Sequence, residues 1–182
     1  FLYVPRGVEV EVPIQSYRWL DVAGSIMPRT LVIVEEGASV TYIDEYASED
    51  GEEPALSNGA VELFVGQGAH LQYVSLQNWA RNVVHFNTIR SQAEKDATIN
   101  SLVVSFGAQL SRTNVEAGLT APGSDSEMLG LYFADEDQLI DHHTLQDHIA
   151  PQAHSDLLYK GALRDESLTV FSGLIRVEPG AQ

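Results

Sequence analysis

Glu36-Gly37-Ala38-Ser39-Val40-Thr41-Tyr42-Ile43 is echoed at Gln67-Gly68-Ala69-His70-Leu71-Gln72-Tyr73-Val74, and more loosely at Lys95-Asp96-Ala97-Thr98-Ile99-Asn100-Ser101-Leu102. Further copies begin at Gly107-Ala108 and Pro122-Gly123. Each is a turn, a small residue and then an alternating strand. A chain that returns to this unit without helices between the copies has few ways to fold: a solenoid, a sandwich or a barrel. The mixed spacing of the copies favours a β-helix with insertions over a barrel. In a β-helix coil stacks on coil, so inward side chains form an apolar column and strands pair between coils. A piece cut from such a stack has open end coils, through which two copies can associate as a homodimer.

The remaining runs fit the same picture. Val8 to Val12 alternates strictly and reads as a strand, with Pro13 ending it or confining it to an edge. Thr30 to Val34, Ser39 to Tyr46, Ala60 to Val65, Ala69 to Leu76, Val83 to Ile89, Thr98 to Phe106, Gln109 to Glu116, Ser126 to Phe133, Gln138 to Leu145 and Leu168 to Val177 are rich in strand-forming residues and bounded by turn residues. Only Ser91 to Asp96 has helical character, and it is too short to form a stable helix alone. Ser48 to Pro54 reads as a solvated, mobile acidic loop; it lacks the ligand spacing of an EF-hand.

Several function classes fall away. Gly66-Gln67-Gly68 lies between two strands, with no third Gly and no following helix, so it is not a dinucleotide loop; no Walker motif and no GxSxG occur. With 26 acidic against 10 basic residues the formal charge is -16, which repels nucleic acid, and the only lysines, Lys95 and Lys160, form no polybasic membrane patch. No apolar run is long enough to span a bilayer. The absence of cysteine excludes disulfides and a cysteine-ligated cluster held by this piece alone, and it fits a reducing compartment.

Concentrated chemistry is confined to Asp141-His142-His143-Thr144-Leu145-Gln146-Asp147-His148, with His154 close behind: four of the six histidines. His and Asp are the ligand types of zinc and iron sites, and histidine carries protons near neutral pH. The competing reading is a polar strand that hydrogen-bonds its neighbours. As a strand, Ile140, His142, Thr144, Gln146 and His148 share one face, and Asp141, His143, Leu145 and Asp147 the other. His142 and His148 are then too far apart to chelate together, and His143 points away from both. A metal site would need His154 or a neighbouring coil, so the stacking reading is preferred and no metal ligand is assigned. His70 and His85 read as hydrogen-bonded structural histidines. Trp79, between Asn78 and Arg81, is either a capping aromatic or an interface anchor. Lys160 has Asp156 and Asp165 near it, which favours an ion pair over a catalytic amine.

The ordered set Asp141-His142-His143-Thr144, His148, Ser155, Tyr159-Lys160-Gly161, Val170-Phe171-Ser172-Gly173 and Ile175 to Gln182 resembles the SufB/SufD family of iron–sulfur cluster assembly proteins. Gln77-Asn78-Trp79 with Val83 and Thr88-Ile89 adds a second block, and the likeness runs from about Leu31 onward. It is nearer to the SufD branch than to SufB. The resemblance implies an all-β, right-handed parallel β-helix, here a truncated core spanning 1–182 of a longer SufD-like protein, without its N-terminal and C-terminal helical regions. It implies a non-enzymatic scaffold in a cytoplasmic or plastid complex, of which we expect the cytoplasmic form. The expected partners are a SufB-like subunit and a SufC-like ATPase, and the expected role is to support iron acquisition and cluster assembly. The cluster would be handled by the full complex, with no cofactor in this segment. The family's cysteine and histidine implicated in assembly lie beyond the Gln182 position, so none is transferred here. Asp141, His142, His143, His148 and Trp79 remain as structural or interface candidates. Two rivals stay open: a β-helix carbohydrate lyase or hydrolase, and a cupin-type metal protein, whose HxH pattern is interrupted here because His142 and His143 are adjacent.

Overall fold

The corners of the chain explain its repeats. In the computed structural model, which describes residues 1–21 and 24–182, Gly37, Gly68, Asp96, Gly123 and Gln152 all adopt left-handed backbone conformations, with φ between 55° and 76°. The first four hand their amides to the next coil: Gly37 N–H to Gln67 O at 2.9 Å, Gly68 N–H to Lys95 O at 2.9 Å, Asp96 N–H to Pro122 O at 3.1 Å and Gly123 N–H to Gln152 O at 3.2 Å. The small residue that follows turns inward, and Ala38, Ala69, Ala97 and Ser124 are buried. Glycine occupies this conformation without steric cost; Asp96 and Gln152 occupy it at some expense.

The strands between corners are β1 (Leu2–Val4), β2 (Ile14–Leu20), β3 (Gly24–Ile26), β4 (Arg29–Val34), β5 (Ser39–Ser48), β6 (Ala55–Val65), β7 (His70–Asn78), β8 (Val83–Ala93), β9 (Thr98–Ser105), β10 (Leu110–Leu119), β11 (Asp125–Ala134), β12 (Leu139–His148), β13 (His154–Leu163) and β14 (Leu168–Val177). They form two parallel sheets. The first, sheet A, runs β1-β4-β6-β8-β10-β12-β14, with β3 also on β6; the second, sheet B, runs β13-β11-β9-β7-β5-β2. The chain is therefore an all-β parallel β-helix of about six turns. No helix among the described residues is long and apolar enough to cross a membrane.

Register is constant down each sheet, so side chains stack in columns. Val61, Ile89, Val115 and Thr144 are one inward column of sheet A. Val40, Leu71, Ile99 and Ser126 are one of sheet B. The main core gathers Val34, Leu63, Leu71, Tyr73, Ile89, Ile99, Leu119 and Met128; a second, smaller cluster holds Tyr46, Trp79, Val83 and Ala108.

One sequence expectation is corrected. Val8 to Val12 is not a strand. It has a single bridge, from Glu9 to Ser39, and Val12 is 74% exposed, because the paired strand in this coil is Ile14–Leu20, beyond Pro13. Ser91 to Asp96, too short for a stable helix alone, forms none: Ser91, Gln92 and Ala93 complete β8 in register with Ala117, Gly118 and Leu119. Ladder pairing on both sides overrides the local helix preference. β13 went unrecognised, because Asp156, Lys160 and Gly161 dilute its strand pattern.

Candidate functional site

The expected two faces of β12 are present. Ile140, His142, Thr144 and Gln146 turn inward and are buried. Asp141 and Asp147 lie on the outer face yet are also nearly buried, because arginines from neighbouring coils cover them. Arg112 Nη1 sits 3.3 Å from Asp141 Oδ2, and Arg176 Nε donates to Asp147 Oδ1 at 2.8 Å. His143 Nε2 approaches Asp141 Oδ1 at 3.0 Å from the same strand, without hydrogen-bond alignment.

His142 is the most enclosed of the candidates, at 1% exposed. Its Nε2 pairs with Ser105 Oγ at 3.1 Å, across from sheet B; its Nδ1 has no hydrogen-bond partner among the described residues. The ring sits between two tyrosines, 5.3 Å from the Tyr132 ring and 5.4 Å from Tyr159, and Tyr159 continues to Phe171 at 5.0 Å. Two glycines make room for these rings. Gly130 is the register partner of Tyr159, and Gly161 that of Tyr132. A Cβ on Gly130 would collide with the Tyr159 ring, and one on Gly161 with the Tyr132 ring. Large and small thus alternate between stacked coils, which explains why Tyr159 and Gly161 occur together. Burial pushes the His142 pKa down to about 4, against a smaller upward pull from Asp141 and a downward one from His143. At neutral pH it is an uncharged ring in an aromatic stack. Burial also pushes the Tyr159 hydroxyl pKa well up, so it stays protonated.

The other histidines of the stretch go elsewhere. His148 Nε2 meets Ser155 Oγ at 2.8 Å across the corner, and His154 Nδ1 meets Asp125 Oδ2 at 2.8 Å on the outer face of sheet B. The stretch is therefore divided between the interior, the outer face of sheet A, a corner and the outer face of sheet B. The structure does not bring its histidines together.

Trp79 is 2% exposed, so of its two readings the structure places it inside the coil. Its Nε1 donates to His85 Nδ1 at 3.1 Å, and Ser57 Oγ lies 3.0 Å from the same nitrogen. The indole N–H can only donate, so His85 Nδ1 is the acceptor and its proton sits on Nε2. Burial holds the His85 pKa down at about 3. Gln77 closes the corner, accepting from Gly107 N–H at 2.9 Å and donating to Gly107 O at 3.0 Å. A Cβ at Gly107 would collide with the Trp79 backbone. His85 is the structural histidine expected of it; His70 instead stands exposed on the outer face of β7.

Sequence reading missed a third interior polar group. Asp44, fully buried, accepts from Arg18, from Thr30 Oγ1 at 2.9 Å and from the Tyr46 hydroxyl at 2.7 Å. Arg18 also bonds Thr30 Oγ1 at 2.7 Å and lies over the Tyr46 ring at 5.4 Å. Burial pushes the Tyr46 pKa up to about 12, with Arg18 opposing. The signal was faint: a lone Asp at an inward position of an otherwise apolar and aromatic alternation, Val40-x-Tyr42-x-Asp44-x-Tyr46.

A parallel β-helix with neutral histidines packed among aromatic rings inside it defines a β-helical core domain. The family model for the SUF system FeS cluster assembly SufBD core domain matches residues 19–182, and the chain belongs to this family. It is 29% identical over 182 residues to an iron–sulfur cluster assembly SufBD family protein of Mycobacterium leprae, covering all of this chain and 21% of that protein. To the iron–sulfur cluster assembly protein SufB of Bacillus subtilis it is 30% identical over 176 residues, covering 96% of this chain and 38% of SufB. A SufBD family protein of Staphylococcus saprophyticus is 28% identical, with the same shares of each chain covered. The chain thus spans between about a fifth and two fifths of the length of these relatives.

Proposed function

We propose that these 182 residues are the central β-helix of a SufD-like subunit, a non-enzymatic scaffold of the SUF iron–sulfur cluster assembly complex in the cytoplasm. In this reading helical regions flank the segment in the longer protein, a SufB-like subunit and a SufC-like ATPase are its partners, and it supports iron acquisition. Iron and sulfide are cargo of the whole complex, and no resident cofactor is assigned to this segment.

One observation carries the reading: the family match extends from residue 19 to 182, through every coil from β4 onward. The site is consistent with a scaffold. Its most concentrated block, Asp141 to His148, is spent on stacking and ion pairing: His142 with Ser105, His148 with Ser155, Asp141 with Arg112 and Asp147 with Arg176. The choice of SufD over SufB rests on motif order at the C-terminal end, from Tyr159-Lys160-Gly161 through Val170-Phe171-Ser172-Gly173 to Gly180-Ala181-Gln182.

The test is co-purification of the full-length parent with SufB-like and SufC-like proteins under anaerobic, low-salt conditions, followed by iron and sulfide analysis. A stable three-component complex that accumulates both elements is expected. Association with the ATPase alone, with the parent able to replace the SufB-like subunit, would reassign the chain to the SufB branch. No association with either would remove the assembly role.

A further inference from the structure

Asp50-Gly51 and Asn58-Gly59 each set a carboxyl or amide side chain directly before a glycine. In such pairs the glycine nitrogen can attack the side-chain carbonyl carbon of the residue before it, because no side chain on glycine blocks the approach. In a free chain the asparagine pair reacts faster, since a neutral amide accepts the attack more readily than an ionised carboxylate. The fold reverses that order. Asn58 and Gly59 lie within β6, in register with Phe86 and Asn87 of β8, and on the other side Ala60 N–H donates to Pro28 O at 3.0 Å. Parallel strand backbone, with ψ about +115°, turns a side chain away from the nitrogen that follows it. Ring closure at Asn58 would require β6 to leave its ladder.

Asp50 and Gly51 lie in the join between β5 and β6. The join is fastened at its two ends: Ala80 N–H donates to Ser48 Oγ at 2.9 Å, and Asn82 Nδ2 donates to Glu53 O at 2.7 Å. Between these anchors Glu49, Asp50, Gly51 and Glu52 are exposed and make no hydrogen bond or ion pair among the described residues. No ladder opposes the rotation that brings the Asp50 carboxyl over the Gly51 nitrogen. We propose that Asp50 is a modification site: it converts to isoaspartate in the folded chain, while Asn58 stays intact. The Gly51 nitrogen loses its proton and bonds to the Asp50 side-chain carboxyl carbon, whose hydroxyl leaves with that proton as water, closing a succinimide ring. Water then adds to the ring carbonyl that came from the backbone and breaks its bond to the Gly51 nitrogen. The chain now runs through the Asp50 side chain and is longer by a single backbone atom; the freed α-carboxylate keeps the charge unchanged. Because Ser48 and Glu53 stay anchored, β5 and β6 keep their register, and the exposed carboxylate is open to an enzyme that methylates isoaspartyl groups. The inference rests on this join alone and does not require the assembly role.

The unmodified chain, held for weeks at neutral pH well below its melting temperature, tests it. Samples are probed with isoaspartyl O-methyltransferase and tritiated S-adenosylmethionine, whose methyl passes from sulfur to the carboxylate oxygen. Parallel samples are digested with Asp-N protease, which cuts before aspartate but not before isoaspartate, and mapped by mass spectrometry. Label should accumulate together with loss of the cut before Asp50, at least tenfold faster than Asn58 gains the mass of deamidation. Asp50→Glu, which would have to close a larger ring, should lose the label, and Gly51→Ala should slow its appearance at least fivefold; circular dichroism checks that both variants are folded. In urea, with the ladder gone, Asn58 should overtake Asp50. No isoaspartate at Asp50 in the folded chain, label undiminished in Asp50→Glu, or deamidation of Asn58 as fast in the folded chain as in urea would each overturn the proposal.

Discussion

Two buried histidines make this fold sensitive to acid in a calculable way. His85 and His142 have pKa values near 3 and 4 in the folded chain, against 6.5 for an exposed histidine. Below about pH 6.5 the unfolded chain takes up a proton at each position and the folded chain does not. Stability is therefore full above that pH and falls as pH drops, by about 1.4 kcal/mol per pH unit for each histidine, until each folded pKa is reached. His142→Gln should flatten the stability profile between pH 6 and pH 4.5 by one proton's slope, measured by urea unfolding across that range; parallel profiles for the two proteins would refute this account. Arg18 and Asp44 pose a different test. Removing one partner of a buried ion pair strands the other, so Arg18→Met should cost about 3–5 kcal/mol. The double change Arg18→Met with Asp44→Leu should recover much of that loss, and a thermodynamic cycle over the four proteins gives the coupling directly.

At the scale of the element, what matters is which residue sits above which. Gly130 beneath Tyr159 is not replaceable: Gly130→Ala should destabilise by about 1–3 kcal/mol, since the added methyl collides with a ring held by its neighbours. Gly68→Ala is a contrasting control. Its Cβ meets nothing within 4 Å, so its cost, about 1–2 kcal/mol, comes from the left-handed backbone alone. An undiminished cost of Gly130→Ala in a Tyr159→Ala background, in chemical denaturation, would argue against the stacked aromatic column. Much of this scale was legible in the sequence. The Gly-Ala corners and the alternation of β5, β7 and β12 follow from period and turn chemistry, because an inward column tolerates only a narrow range of residues. Other parts were not. Val8 to Val12 alternates as well as any real strand, and only the neighbour it pairs with shows otherwise. Trp79 among Asn78, Arg81 and Asn82 reads in sequence as either a capping aromatic or an interface anchor, and only the His85 that accepts from its indole, on the next strand, decides between them. Asp141 and Asp147 are covered by Arg112 and Arg176 from adjacent coils, a relation that exists only once register is known.

The whole molecule is a stack in which each coil meets only the coils before and after it, so its stability is nearly a sum over interfaces. This has a consequence for how such a chain can gain or lose residues. A strand locked between two others in constant register cannot absorb a single extra residue: everything beyond it would exchange inside for outside. A corner can absorb one, since its job is only to bring the chain around. The segment joining β5 to β6, Glu49 to Pro54, is exposed throughout and longer than the corresponding joins at 79–82, 106–109, 135–138 and 164–167. A short Gly-Ser insert between Asp50 and Gly51 should leave the melting temperature within a few degrees of the parent chain. One alanine added between Thr88 and Ile89 should abolish cooperative melting. In a lineage of such proteins, length should therefore vary at this acidic corner or by whole coils, and the columns within the coils should keep their count.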